Sequence, residues 1–510
     1  MRTIALLIVL AAAAGSAWLS TLTDNGLGLV WTHVAVRNWE QYGFFNLHGK
    51  MVVNVGGFEA DTNPEIYPGP RPAGLYPAYL CHHLFTSIGL GGLGFVAYNA
   101  VTAAIVLLSI WWLLGLTEWA FWLAAIAVVA PGFVRWQTTL DPILAPVLFG
   151  FSFCGAVVSL LQRPSLNWRR VVALAVLILV FSALNWTTVF VHGMLFVTLL
   201  ALPRVPRRHL ILYAGLTAAM AGWVLVVSVA SKMTGGGGSS AGFASMYQGY
   251  GWGNVGYGQE LTTRTALLRL LAVNVLGLFP VLMYLGWEWW RRRDRLSEAG
   301  LLYLLPLVVV VVEISVMRNY FGHHPWLSVD FVLLAIVLAV FAWEGRAGRV
   351  PIAGKTTLPG GLAWLAAVFA YCSLVLFAAA HNGQGLAFAT FVREHTVRDT
   401  TIVIRRDTDP ALADIAPRLA ALVDRHVVVV RDSGESALAR MPAKPVVVLT
   451  AAEPARGEIL ARTSLEDRAP PVVGSLLGWY SKYIAHRRAG DNLEIPGQTF
   501  FLCQLADFGQ

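Results

Sequence analysis

The sequence predicts an α-helical polytopic membrane protein. It has about eleven transmembrane helices, read from length and apolarity, with interfacial helices in its first outer loop and a small C-terminal α/β soluble domain. Three observations predict it. The 510 residues are 56% hydrophobic and 13% charged, whereas soluble globular proteins carry about 25% charged residues. Mean hydropathy is +0.61. Residues 381–510 break the pattern, with short β-branched runs alternating with helical ones.

The apolar runs are 3–22, 94–114, 119–134, 142–161, 171–186, 187–202, 210–231, 266–287, 299–317, 327–343 and 361–380. A span needs ~20 apolar residues. The stretch 171–202 is one long run, read as two short helices broken near Asn185. Charge decides its count. With Met1 inside, the clusters Arg163–Arg170, Arg204–Arg208, Arg291–Arg295 and Arg346–Lys355 all fall inside. Inner segments then hold 14 basic and 5 acidic residues, and outer ones before 381 hold 8 and 9. A single span at 171–202 would turn the later basic clusters outward, against the positive-inside rule. Residues 1–17 also have the make-up of a signal peptide. The apolar run continues to Leu22, which favours an uncleaved span.

The net charge of +8 lies wholly in residues 1–380, with 22 basic against 14 acidic residues. Residues 381–510 hold 15 of each. No basic stripe with interleaved aromatics appears, so no nucleic-acid partner is expected. Four cysteines offer no disulfide framework. Cys154 and Cys372 lie in apolar runs, and Cys81 and Cys503 could pair outside the membrane, although free thiols are the simpler reading. No Cys/His spacing reads as a zinc site.

Two domains follow, a transmembrane domain at 1–380 and an extracytoplasmic α/β domain at 381–510. In the latter, TTIVIRR, HVVVV and KPVVVL read as buried strands, and DPALADIAPRLAALVD and ESALARM as helices. It has no Gly-rich phosphate fingerprint and no triad pattern, so an accessory or docking role is expected.

The outer segments hold the polar chemistry. Asp24 is the first acidic residue, just beyond the first span. The following GLVWTHVAVRNWEQYGFF places Leu29, Val30, Trp31 and Val34 at helical spacing, with His33 and Arg37 on another face. That pattern suits an interfacial helix. Asp24 is then either a helix cap or a carboxylate held at the membrane surface for chemistry. IYPGPRPAGLYPAYLCHH offers Tyr76, His82 and His83, as a substrate-lining turn or an aromatic belt. VRWQTTLDPILAP offers Arg135 and Asp141, the latter opening a span. EISVMRNYFGHHPWLSVD offers Glu313 inside an apolar run, then Arg318, His323 and His324. An intramembrane carboxylate is expensive and faces a cavity or a partner. Arginine at a membrane surface suits phosphate, which its planar fork binds bidentately. The Gly-rich segment 232–264 lacks a Gly-Lys-Ser/Thr ending and is not a P-loop. Tyr247, Tyr250, Trp252 and Tyr257 there could cover a sugar or a lipid chain.

One short first span, an outer aspartate, HVAVRNWEQYGFF and a Pro/Tyr/His turn together resemble the GT-C superfamily of integral-membrane glycosyltransferases. Protein O-mannosyltransferases and lipid A aminoarabinose transferases are the nearest in layout. WQTTLDPILAP resembles their second outer-loop motif and MRNYFGHHPW their late outer loop. The resemblance covers about residues 1–345 in layout. Members often carry two adjacent acids in the first loop, whereas Asp24 lies between Thr23 and Asn25. Glu59, Asp61 and Glu65 are alternative carboxylates there.

The resemblance implies transfer of a sugar from a polyprenyl-phosphate donor to an acceptor hydroxyl on the outer face, usually with inversion. It implies Asp24 as general base and Asp141 orienting the acceptor or a metal. It implies Arg318, with His323 or His324, on the donor phosphate, and Arg37, Tyr76, His82, His83 and Glu313 lining the substrate. The cofactor is unknown; a divalent metal is compatible and not required. The partners implied are the lipid-linked donor, a glycan, lipid or protein acceptor, and membrane lipid. The Ala/Arg/Gly-rich composition suggests a GC-rich bacterium, and the spans and charge bias then place the chain in a bacterial inner membrane, with the N-terminus cytoplasmic and the C-terminal domain periplasmic. A transporter or flippase of lipid-linked sugars, a glycan ligase or polymerase, and a non-catalytic scaffold are the rivals. Transporters usually show internal repeats with broken helices at the midplane, and none is visible here.

Overall fold

The computed structural model describes residues 2–21, 30–51, 72–137, 145–184, 187–202, 204–234, 263–291, 305–316, 327–346, 358–380, 391–397, 400–405, 409, 426–430, 446–450, 459–464 and 499–504. The chain divides into two compact units. The first comprises Met1–Ser20, Pro70–Gln137 and Asp141–Val375. The second comprises Thr21–Gly69, Thr138–Leu140 and Leu376–Gln510.

The helices, in chain order, are α1 (Arg2–Thr21), α2 (Val30–Tyr42), α3 (Tyr76–Ser87), α4 (Gly94–Leu113), α5 (Glu118–Val129), α6 (Pro131–Gln137) and α7 (Ala145–Leu161). Then come α8 (Trp168–Leu184), α9 (Thr188–Leu200), α10 (Arg207–Thr234), α11 (Thr263–Arg291), α12 (Leu305–Val316), α13 (Leu327–Arg346) and α14 (Leu358–Ala380). Every apolar run named above carries helix. Among the described residues three helices are long and apolar enough to cross a membrane, at Gly94–Leu113, Leu270–Glu288 and Leu358–Val375. Shorter apolar helices accompany them at Ile4–Leu19, Glu118–Val129, Val147–Leu161, Thr188–Leu200 and Leu305–Ser315.

Two details bear on the expected spans. The run 171–202 is indeed two helices, α8 and α9. The run 119–134 is also two. Ala130 is extended, with ψ of 144°, and α6 starts at Pro131. Proline has no N–H to continue the helix and pushes the residue before it out of the α region.

In the first unit α5 is the centre. Every residue from Trp119 to Val129 is buried, as expected of a helix that is apolar all round. Ser16 of α1 donates to the Val128 carbonyl at 2.6 Å, and Tyr284 of α11 donates to the Trp119 carbonyl at 3.2 Å. Gly361 of α14 lies flat on the Trp122 ring, where no side-chain carbon fits. The periphery is apolar and open: Leu6, Leu7 and Leu10 of α1, Val172 and Val180 of α8, and Leu271 of α11 are exposed. Apolar surface of this extent needs a lipid solvent.

In the second unit α2 and the turn after it form one piece. Trp39 is fully buried and its indole N–H donates to the Lys50 carbonyl at 2.7 Å. Gly43, at φ 89°, supplies the left-handed turn that ends α2. The same unit holds a five-stranded sheet of β1 (Thr401–Arg405), β2 (His426–Val430), β3 (Val446–Thr450), β4 (Ile459–Ser464) and β5 (Thr499–Gln504). Its order is β2-β1-β3-β5-β4. Strands β2, β1 and β3 are mutually parallel, whereas β5 is antiparallel to β3 and to β4. The three parallel strands are those expected from the sequence. Strands β4 and β5 were not expected. ILARTS mixes polar and apolar residues because it is an edge strand, with Ile459 and Leu460 exposed. The expected helices at 409–424, beyond Asp409, and at 435–441 lie outside the described residues.

Candidate functional site

Asp24, Asp141, Arg318, His323 and His324 lie outside the described residues, as do Glu59, Asp61, Glu65 and residues 235–262 of the Gly-rich segment. The helices that flank Asp24, Asp141, Arg318, His323 and His324 are described, Asp24 lying between α1 and α2. Arg37 lies within α2, where its side chain is not described. Asp141 lies between α6 and α7. Arg318, His323 and His324 lie between α12 and α13.

Tyr76 opens α3 and is exposed. The adjacent histidines differ in setting. His82 stacks on Phe95 of α4, with ring centroids 4.6 Å apart and planes at 11°. The contact is close because residue 94 is glycine: a Cβ there would lie 2.6 Å from the His82 Cα. His83 stays exposed and stacks on Tyr79 at 5.7 Å. His82 therefore belongs to the α3–α4 contact, and His83 is the one presented. Cys81, between the helix faces, is half-buried, and burial pushes its thiol up from the ordinary value. All four cysteines are free.

Glu313 is fully buried in α12, and neither carboxylate oxygen has a hydrogen-bond partner among the described residues. A second carboxylate shares this condition. Asp330, in the first turn of α13, is 1% exposed with both oxygens unpartnered among the described residues. Helices α12 and α13 pack together. Glu313 stands three residues before the end of α12 and Asp330 three after the start of α13. The two acids thus bracket the segment that carries Arg318, His323 and His324.

The helices that carry the two acids also pack on α9. Val309, one turn before Glu313, lies where a Cβ on Gly193 would meet it at 3.4 Å. Leu334, one turn after Asp330, meets a Cβ placed on Gly150 at 3.3 Å, beside Val191 at 3.4 Å. Residues four apart share a helix face. Uncompensated charge at such depth is costly, so these oxygens call for a donor or a cation. Asp330 stands in the same stretch as Glu313, EISVMRNYFGHHPWLSVD, but in the first turn of its helix, where an acid is ordinary.

The start of α13 is fixed on its other faces. Asn274 of α11 donates to the Leu270 carbonyl at 2.8 Å and to the Ser328 hydroxyl at 2.6 Å. Val329 packs at the junction of Gly132 in α6 and Gly277 in α11. A rigid base therefore carries Asp330, and it also carries α6, which leads toward Asp141.

A further polar cluster was not legible beforehand. His192 of α9 is buried, with Nε2 3.1 Å from the Ser182 hydroxyl and Nδ1 2.9 Å from the Tyr213 hydroxyl. It ties α8, α9 and α10 together with both ring nitrogens satisfied. Among the described residues no group of three or more His, Cys, Asp or Glu could hold a metal ion.

No protein-family model and no curated protein matches this sequence. Solved structures do match the fold. ArnT from Cupriavidus metallidurans, solved bound to undecaprenyl phosphate, aligns over 100% of this chain and 98% of its own, with TM-score 0.55 and 11% identity. The archaeal oligosaccharyltransferase AglB from Archaeoglobus fulgidus, solved with an inhibitory peptide and a dolichol-phosphate, aligns over 84% of this chain, with TM-score 0.46 and 12% identity. This chain spans 64% of the length of AglB. The mycobacterial arabinofuranosyltransferase AftD aligns over 78% of this chain and 29% of its own, with TM-score 0.41 and 13% identity. The fold is GT-C-like.

Proposed function

We propose that this chain is an integral-membrane glycosyltransferase. It moves a sugar from a polyprenyl-phosphate donor to an acceptor hydroxyl at the outer face of the membrane. The observation that carries the reading is the end-to-end likeness to ArnT, a protein solved with undecaprenyl phosphate.

The residues have the chemistry that the reaction needs. The acceptor oxygen attacks the anomeric carbon, the bond from that carbon to the phosphate oxygen breaks, and the phosphate leaves with the electron pair. Asp24 takes the acceptor's proton as general base. Arg318, with His323 and His324, neutralises the departing phosphate, since positioned charge at a developing anion lowers the barrier. Asp141 orients the acceptor or a metal. Glu313 and Asp330, bracketing that segment, supply acceptor oxygens that fix its cationic groups. Attack from the face opposite the phosphate gives inversion.

The test is transfer from a panel of radiolabelled polyprenyl-phosphate sugars in proteoliposomes, with wild type beside Asp24→Asn. Transfer by wild type and its loss in the variant, with donor still bound, is the expected result. Equal transfer by both would make Asp24 a helix cap and move the base to Glu59, Asp61, Glu65 or Asp141. No transfer from any donor would return the chain to the transporter or scaffold readings.

A further inference from the structure

We propose that two arginine-rich turns, after α7 and after α9, together hold an anionic phospholipid by its headgroup phosphate. The chain from α7 into α8 carries Arg163, Arg169 and Arg170. The chain from α9 into α10 carries Arg204, Arg207 and Arg208. Two hydrogen bonds join these turns. Arg208 donates to the Pro164 carbonyl at 3.0 Å. Buried His209 donates through Nδ1 to the Leu161 carbonyl at 2.9 Å. Arg170 closes the first turn on itself, donating to the Ser165 carbonyl at 2.7 Å. Helices α8 and α10, which start at the two turns, pack against each other.

Arg170 is half-buried and the other five arginines are exposed. Among the described residues none of the six is paired with a carboxylate. Residues 142–259 contain no Asp or Glu at all. Bonds to carbonyl oxygens leave the positive charge in place, and each guanidinium has five N–H donors to share. Such a surface attracts anions, and the planar fork of arginine takes phosphate oxygens in pairs. Positive-inside orientation accounts for the sign of these residues. It does not account for the bonds that hold the two turns together.

The neighbouring surface selects the anion. Trp168 opens α8, is 71% exposed, and has the Arg169 guanidinium 5.6 Å from its ring centroid. Tryptophan in that setting marks headgroup depth. Val172, Val176 and Val180 follow at four-residue spacing and are all exposed. Residues four apart share a helix face, so one open apolar stripe of α8 begins at the arginines. Helix α10 repeats the pattern with Arg207, Ile211 and Gly215. Ile211 is 74% exposed, and a Cβ on Gly215 would meet nothing. A phosphate that carries acyl chains uses the turns and the stripes together, whereas a free phosphate would use the turns alone. Basic groups between helices at a membrane surface hold such headgroups. The connection that carries Asp141 enters the other end of α7, whose 17 residues span about 25 Å. This lipid site is therefore separate from the proposed transfer chemistry and does not rest on the transferase reading.

The test uses the full chain, delipidated in neutral detergent, with native mass spectrometry recording bound lipid during titration. The probes are cardiolipin, phosphatidylglycerol, phosphatidylcholine, undecaprenyl phosphate and inorganic phosphate. Cardiolipin or phosphatidylglycerol is expected to bind about tenfold more tightly than phosphatidylcholine. Arg169→Gln and Arg207→Gln are each expected to weaken that binding about fivefold. Arg462→Gln, the same charge change on the edge strand β4, is expected to leave it unchanged. Thermal unfolding identifies a variant that has lost its fold, in which case Arg204→Gln replaces it. Phosphatidylcholine bound as tightly as the anionic lipids would overturn the site, as would weakening by Arg462→Gln equal to that of the turn variants. Anionic-lipid binding that none of the turn variants alters would also overturn it. Tighter binding of undecaprenyl phosphate at these arginines would make them a donor site instead. Inorganic phosphate bound as tightly as the phospholipid would show a free-phosphate site, and both results would overturn the assignment.

Discussion

Gly132 and Gly277 bring the backbones of α6 and α11 into contact: a Cβ on Gly277 would lie 3.2 Å from the Gly132 Cα. A Cβ on Gly132 would collide with a Val329 methyl group and stand 3.1 Å from the Gly277 carbonyl oxygen. Small residues allow such approach between apolar helices. Gly132→Ala is expected to destabilise the detergent-solubilised protein by about 1–3 kcal/mol through overpacking. Adding Val329→Ala should recover part of the loss, and a thermal unfolding series checks both. Full stability in Gly132→Ala alone would mean that the three helices are looser than described.

The two buried acids give an opposed pair of effects. Glu313→Leu removes an uncompensated carboxyl and is expected to hold or raise thermal stability, since apolar replacement of buried charge is often neutral or stabilising. The same change is expected to lower sugar transfer by roughly 10²-fold. Asp330→Asn should lower transfer with little effect on unfolding. Strong destabilisation by Glu313→Leu would instead make the carboxylate a structural group.

His192 is a cross-link. Tyr213→Phe removes one hydrogen bond and is expected to cost about 1 kcal/mol. His192→Leu leaves two hydroxyls without their partner and is expected to cost about 1–3 kcal/mol. The double variant should cost less than the sum, because the two side chains share a bond. Additive costs would show that the cluster contributes nothing as a unit.

Cys81 reports on the α3 surface. Burial raises its thiol, so less thiolate is present at any given pH than in an exposed cysteine, and the thiolate is the nucleophile. Alkylation by iodoacetamide should be slower than for a free thiol at pH 8 and should approach it only as pH climbs past the raised value. Faster alkylation than the free thiol would require a cation beside the sulfur and would contradict the burial.

Periodicity and length were legible for the helices because lipid leaves backbone polar groups no partner but the helix itself. That is why each apolar run between Arg2 and Ala380 carries helix, although among the described residues only three helices are long and apolar enough to cross a membrane. The break at Pro131 was legible too, from proline chemistry, and was passed over because the run stays apolar through it. Strands β1 and β3 were legible because successive residues are buried, so that both faces are covered, and β2 as the β-branched run HVVVV. Strand β4, on the edge, has no such signature. In the site, Glu313 was legible as an acid within valines. Asp330 was not, because it lies at a helix start, where acids are ordinary. His192 was hidden as a lone histidine whose partners, Ser182 and Tyr213, come from two other helices.

Helix α5 is enclosed by chain that does not yet exist when it is made. Trp119 is linked to Tyr284 across 165 residues, and Trp122 is covered by Gly361, later still. At ~5–20 residues per second of synthesis, the centre of the bundle waits on the order of 10–30 s for α11 and longer for α14. During that interval its tryptophans face lipid or the insertion machinery. A chain truncated before α14 keeps its outer helices and lacks the means to close around its own middle.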